Sequence, residues 1–146
     1  MNSSRFVYVA YIAASPEKVW NALIDGETTQ QYWGHLNVSE WKVGSRWEHQ
    51  RCGAANQVDI AGTVLESSAP RRLVISWAFP SELDRPEKVS RVSFEIEPYK
   101  GQHARLTVIH EELEPASKME RGITSGWPLV LSNLKSFLET GRAMPL

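Results

Sequence analysis

The hydrophobic period of this chain changes once, and that change limits the folds open to it. Between residues 46 and 112 apolar side chains recur at every second position, in segments 46–51, 58–66, 73–79, 89–97 and 103–112. After Ser117 they recur at every third or fourth: Met119, Ile123, Trp127, Val130, Leu131, Leu134, Phe137 and Leu138, up to Gly141. A period of two sends alternate side chains to opposite faces of a strand, whereas a period of 3.6 draws a stripe along a helix. Segments 89–97 and 103–112 are polar on their second face, as antiparallel strands with one face in water are. A sheet with one apolar face and a helix with one apolar stripe bury each other. The fold class predicted is α+β: a curved antiparallel sheet wrapped around a long C-terminal helix.

The first third adds a strand and two short helices. Residues 6–12 alternate with apolar or aromatic side chains on both faces, which reads as a strand covered on at least one side. Ser15-Pro16-Glu17 is a helix start, because serine caps, proline suits the first helical position and glutamate suits the positive end of the dipole. Val19, Trp20, Ala22 and Leu23 form its apolar stripe, and Asp25-Gly26 stops it. Thr28 and Gln31 have capping-box spacing for a second helix over 28–32, ended by Gly34. Val43-Gly44-Ser45 is a turn, 53–56 a loop, 80–88 a polar loop with Pro80 and Pro86, and 98–102 a turn at Gly101. Gly44, Gly53, Gly62 and Gly101 stand singly, as turn and bulge glycines do. Ser117 and Glu120 again have capping-box spacing, while Gly126 and Pro128 predict a kink or a fresh start near 126–128. No linker or repeat interrupts the pattern, so residues 1–146 read as one domain.

Charge and motifs exclude several functions. Lysine plus arginine number 16 against 17 for aspartate plus glutamate, and no basic run exceeds Arg71-Arg72, which argues against nucleic acid and anionic membranes. No segment approaches the roughly 20 apolar residues of a bilayer span, so no membrane insertion is expected. Residues 1–5 lead straight into the first strand without an apolar targeting stretch, and the one cysteine, Cys52, suits a reducing compartment, so a soluble cytoplasmic protein is expected. There is no serine nucleophile elbow, glycine-rich phosphate loop, HExxH or metal-ligand spacing. No catalytic residue, metal or cofactor is assigned.

What remains is aromatic. Six tryptophans in 146 residues must either fill a core or line something. Alternation places Trp47, Trp77 and Phe79 on inward faces opposite Trp127, and with Trp33 they read as the wall of a pocket. Taken singly, each reads first as a core residue, and only the set points to a pocket. His49 and His110 point where their apolar neighbours point. Either they meet a ligand's polar end or act as acid and base, or they are satisfied by a backbone carbonyl, by Glu111 or Glu112, or by water. Arg51 shares the face of His49, where it either holds an anion at the cavity mouth or is a solvated strand-end residue. Cys52 has no histidine at a spacing that would make it a nucleophile, though the charge beside it favours its thiolate.

An ordered set of segments resembles a known family. Ser15–Leu23 as SPEKVWNAL, Tyr32-Trp33-Gly34, Val43-Gly44-Ser45-Arg46-Trp47, Gly62-Thr63-Val64-Leu65-Glu66, Pro70-Arg71-Arg72-Leu73, Gly126-Trp127 and Leu134-Lys135-Ser136-Phe137-Leu138-Glu139 occur in the order of the START-like, polyketide-cyclase-type superfamily. Specifically, the chain resembles the branch named after the activator of the 90-kilodalton heat-shock-protein ATPase. The resemblance implies a helix-grip fold with an elongated cavity between sheet and C-terminal helix, used in different members for lipids, hormones or aromatic polyketides. The partner expected is therefore a small hydrophobic or aromatic molecule, bound without chemistry. An enzyme of the cyclase, aromatase or hydrolase kind in the same cavity is the alternative. A chaperone-associated protein acting through its surface is a third reading, although the eukaryotic activator's separate N-terminal chaperone-binding domain has no counterpart in these segments. A homodimer through an exposed sheet face or edge is compatible with each.

Overall fold

In the computed structural model, residues 3–54 and 57–145 are described; the second half of the 53–56 loop, the first two residues and the last lie outside them. The chain runs β1 (Ser4–Ile12), α1 (Pro16–Ile24), α2 (Gly26–Trp33), β2 (His35–Ser39), β3 (Arg46–Arg51), β4 (Val58–Ser68), β5 (Arg72–Trp77), β6 (Ser90–Tyr99), β7 (His103–Leu113) and α3 (Lys118–Thr140). The strands form one seven-stranded sheet in the order β1-β7-β6-β5-β4-β3-β2. Every neighbouring pair is antiparallel. The α+β class, the two short helices after β1 and the long C-terminal helix are as the periodicity predicts.

The caps explain most boundaries. Ser15 Oγ accepts the Lys18 amide at 3.2 Å, starting α1 as expected. Ser117 Oγ accepts the Glu120 amide at 3.0 Å, and Glu120 returns Oε1 to the Ala116 amide at 2.8 Å, a reciprocal cap reaching one residue further back than the usual box. Gly34 closes α2 in the left-handed conformation that a Cβ disfavours.

Five expectations need correction, the last of them at Gly62. The second helix begins at Gly26 rather than Thr28: Asp25 both ends α1 and precedes α2. Thr28 does not cap Gln31, for its hydroxyl donates to Asp25 Oδ2 at 2.6 Å. Strand β2 was absent from the periodicity because its burial is inverted, with Asn37 buried and Val38 exposed. The fresh start near 126–128 is absent: α3 continues through Pro128 for 23 residues, and the amide Pro128 lacks would have bonded the carbonyl of the exposed Thr124. The 80–88 loop holds two short 3-10 turns, Pro80–Glu82 and Pro86–Lys88.

Gly62 is neither turn nor bulge. It lies inside β4, where a Cβ would stand 2.0 Å from the Ser76 carbonyl oxygen. The β4–β5 ladder is interrupted there, between the Ala61–Ala78 bridge and the Val64–Ile75 pair. Side chains fill the gap: Trp47 Nε1 donates to Ser76 O at 2.7 Å, and Ser76 Oγ accepts the Thr63 amide at 2.8 Å. This close crossing draws Trp47 wholly into the core.

Helix α3 is tied down at one end. Lys135 Nζ donates to Tyr11 O at 2.6 Å and Glu139 Oε2 accepts the Ala13 amide at 2.7 Å, which fixes its last turns to the end of β1. Leu131 and Leu134 are buried in the core with Val19, Leu23 and Ile12. The first half approaches the sheet through large side chains instead, with Trp127 5.8 Å from Phe94 and Met119 on Trp77.

Candidate functional site

Beneath that first half of α3 lies a cavity of about 350 Å³. The helix contributes Met119, Gly122, Ile123, Gly126, Trp127 and Val130, and the opposite wall is Trp33, Ile60, Trp77 and Phe79. Lys118, at the helix start, is the charged residue of the lining. Gly122 and Gly126 are four apart and so share a helix face. A Cβ built on either meets nothing within 4 Å. Neither position therefore carries a side chain that would narrow the space beside it. The volume falls within the range of small-molecule sites and exceeds twice the roughly 150 Å³ of an apolar cavity that takes benzene.

Three indoles make the floor. Trp33 and Trp77 are near-parallel at 6.4 Å, and Trp127 meets them at 5.4 and 5.5 Å. Their hydrogen bonds fix two of the rings. Trp77 Nε1 donates to Met119 Sδ at 3.3 Å. Trp127 Nε1 donates to His110 Nδ1 at 3.0 Å, and Ser90 Oγ lies 2.8 Å from His110 Nε2 and 2.9 Å from the Trp77 carbonyl. One proton arrangement satisfies all four groups: the indole donates to Nδ1, Nε2–H donates to Ser90, and the serine hydroxyl donates to the carbonyl. His110 is then neutral with its lone pair occupied, and burial pushes its pKa down to about 3. Ser90 and His110 resemble a nucleophile and base only in spacing. The serine proton points to a carbonyl and both residues are buried.

His49 sits behind Trp33 and Trp77, with ring centroids 5.1 and 6.0 Å away. Its Nδ1–H donates to Asn37 Oδ1 at 2.5 Å, and its ring stacks on His35 at 4.0 Å. Burial, then the neighbouring His35, push its pKa down to about 3, against the opposing pull of Asp59. Asn37 is itself held by Thr29, whose hydroxyl accepts the Asn37 amide at 2.9 Å. Asp59 accepts from Arg51 Nη2 at 2.8 Å and lies 2.7 Å from His35 Nε2, so its carboxyl is held below the usual carboxylate range, Arg51 contributing most.

Of the residues singled out from sequence, Trp33, Trp77, Phe79 and Trp127 meet on the cavity wall. Trp47, His49 and His110 do not line it; they form a buried layer behind the wall, partnered by Ser76, Asn37, and Ser90 with Trp127 rather than by Glu111 or Glu112. Arg51 is exposed and engaged with Asp59 away from the cavity. Cys52 Sγ donates to the Gly34 carbonyl at 3.0 Å. Sequence reasoning missed Ile60, Lys118 and Gly122, and treated Met119, Ile123 and Val130 as helix stripe alone. Paired glycines at i and i+4 beside that stripe were the available signal. Among the described residues, no group of three or more His, Cys, Asp or Glu is placed to hold a metal ion, and no helix is long and apolar enough to cross a membrane.

The fold recurs in solved structures. A protein from Mesorhizobium loti superposes with a TM-score of 0.76 at 22% identity, over 93% of this chain and 97% of its own. The Aha1 dimer from Colwellia psychrerythraea gives 0.76 at 19% identity, over 96% and 99%. An HSP90 activator from Plasmodium falciparum gives 0.74 at 23% identity, over 92% and 96%. These likenesses speak to the fold alone. No curated protein matches this chain. The sequence profile described as Activator of Hsp90 ATPase homolog 1-like protein matches residues 13–139, strand end to last helix, and the chain belongs to that family.

Proposed function

We propose that this protein binds a small apolar or aromatic molecule in the cavity between the sheet and α3, without transforming it. The observation that carries the reading is the open space beside Gly122 and Gly126, walled by three indoles, two of them held by hydrogen bonds to Met119 and His110. Acid–base chemistry finds no support in His49 and His110, because both rings are engaged and neither lines the cavity.

The test is a thermal-shift screen of fatty acids, steroids and flavonoid-like aromatics. A ligand at 100 times its Kd stabilises by about 2.7 kcal/mol, which for a chain of 146 residues raises Tm by roughly 5–10 °C. A screen without any saturable shift removes the reading.

The family name and the Plasmodium falciparum relative favour a second reading, a protein partner docked on the surface. The outer face of edge strand β1 offers Val7 and Tyr11, both close to half exposed. The chaperone's ATPase rate with and without this protein decides that reading, and an unchanged rate is expected. The Colwellia psychrerythraea dimer makes a second copy the other candidate for this face, and light scattering reads it directly.

A further inference from the structure

An aromatic wall by itself does not say what charge its guest carries. Indole and phenyl faces attract cations as readily as they stack on flat apolar bodies. The residue that decides is Lys118. Among the described residues it is the single charged side chain on the cavity lining, and no carboxylate lines the cavity with it. Its Nζ lies 5.7 Å from the Phe79 ring centroid, at the point where the apolar cavity meets an outer depression.

The charges around that depression leave Lys118 available. Glu82, Lys88, Glu114 and Lys118 all border it. Lys88 takes Glu114 at 2.8 Å and also feels Glu82. Among the described residues Lys118 has no ion pair. It also stands at the first position of α3, where a cation opposes the helix dipole. Lys118 is exposed at the mouth of an apolar cavity, opposes its own helix dipole and is held by no ion pair among the described residues, although Glu82 borders the same depression, so its ammonium is open to a partner of opposite charge.

We propose that the cavity takes an aromatic acid, its flat body against Trp33, Trp77 and Trp127 and its anionic group at the Lys118 ammonium. This deepens the binding reading above and rests on it. A quaternary ammonium guest, which the aromatic wall alone would admit, is repelled by Lys118. A fully neutral guest gains nothing from it. The volume, a little over twice that of the benzene-sized cavity, suits a two-ring body with one substituent.

Three naphthalene probes of one shape separate these cases by isothermal titration calorimetry: naphthalene-2-carboxylate, the neutral 2-naphthamide, and naphthalen-2-yl-trimethylammonium. Each is titrated into the full chain and into Lys118→Met, with circular dichroism to verify the fold of the variant. The carboxylate is expected to bind the natural chain at least tenfold more tightly than the amide, and the cation more weakly than either. In Lys118→Met the carboxylate falls to the affinity of the amide, whose own affinity is unchanged. Equal binding of carboxylate and amide, a preference that survives in Lys118→Met, or tightest binding of the cation overturns the anion assignment while leaving the cavity reading intact. Binding of none of the three overturns the aromatic-acid assignment, and the broader thermal-shift screen then decides the cavity reading separately.

Discussion

Replacing Gly122 and Gly126 by alanine separates the stability of α3 from its role in the cavity. A glycine inside a helix is less stable than alanine by roughly 0.5–1 kcal/mol, because it gives up more backbone freedom on folding. Nothing in the structure offsets that deficit, since both positions have ordinary helical backbone and a Cβ at either meets no atom within 4 Å. The double variant Gly122→Ala/Gly126→Ala should therefore be more stable by about 1–2 kcal/mol. For a chain of 146 residues that raises Tm by roughly 2–8 °C in a calorimetric scan. The same methyl groups enter the cavity, so affinity for naphthalene-2-carboxylate should fall. Gly126→Leu, which places a branched side chain in the empty volume, should abolish binding while keeping Tm at or above that of the natural chain. A lower Tm in the double variant would show that the two backbone positions need glycine. Undiminished binding in Gly126→Leu would show that the space is not where the ligand sits.

Other perturbations probe the layer behind the wall. Gly62→Ala forces a Cβ to within 2.0 Å of the Ser76 carbonyl, and its urea midpoint should report a loss of about 3 kcal/mol or more, or no folded protein at all. His110→Phe leaves the buried Trp127 indole without an acceptor and should destabilise by about 1–3 kcal/mol, while His110→Gln, whose amide oxygen accepts, recovers part of that; equal losses in the two would refute the proton arrangement. His49 and His110, both held near 3, take up protons from pH 6.5 downward in the unfolded chain but not in the folded one. Stability is therefore complete only well above 6.5 and falls with pH, by about 3 kcal/mol between 6.5 and 5 for the two together. Urea midpoints across that range, with His49→Gln/His110→Gln flattening the slope, measure it.

The fold was largely legible because its driving pattern is local. The inward alternation of Val92, Phe94 and Ile96, and of Leu106 and Val108, is the burial found in β6 and β7. Strand β2 was hidden because its inward residue Asn37 is polar, its side chain paired with His49 and its backbone N–H with the Thr29 hydroxyl. Periodicity scores burial by hydrophobicity and cannot register a buried polar side chain with partners. For the site, alternation placed Trp47 and His49 on the inward face, where they are. It could not tell the surface of a cavity from the layer beneath it. That distinction is a matter of depth: Trp47 is drawn behind Trp77 by its bond to Ser76, a contact 29 residues away that exists because residue 62 has no side chain.

The departures from local helix rules in α3 share a location. Lys118 opposes the dipole, Gly122 and Gly126 lower helix stability, and Pro128 removes a backbone hydrogen bond, all within the first half of the helix. The second half, from Leu131 to Glu139, obeys those rules and is anchored to β1 by Lys135 and Glu139. A helix selected only to close the core gains nothing from this division, because Gly122 and Gly126 lower its stability at positions with space for a Cβ. Local sequence conflicts with the fold are expected at functional sites, and here Lys118, Gly122 and Gly126 lie on one cavity wall, with Pro128 next to its Trp127. The anchored half supplies the stability that lets the other half stand off from the sheet. Variants that improve the first half should therefore stabilise the protein and weaken its binding together, and improvement of the second half should do only the former.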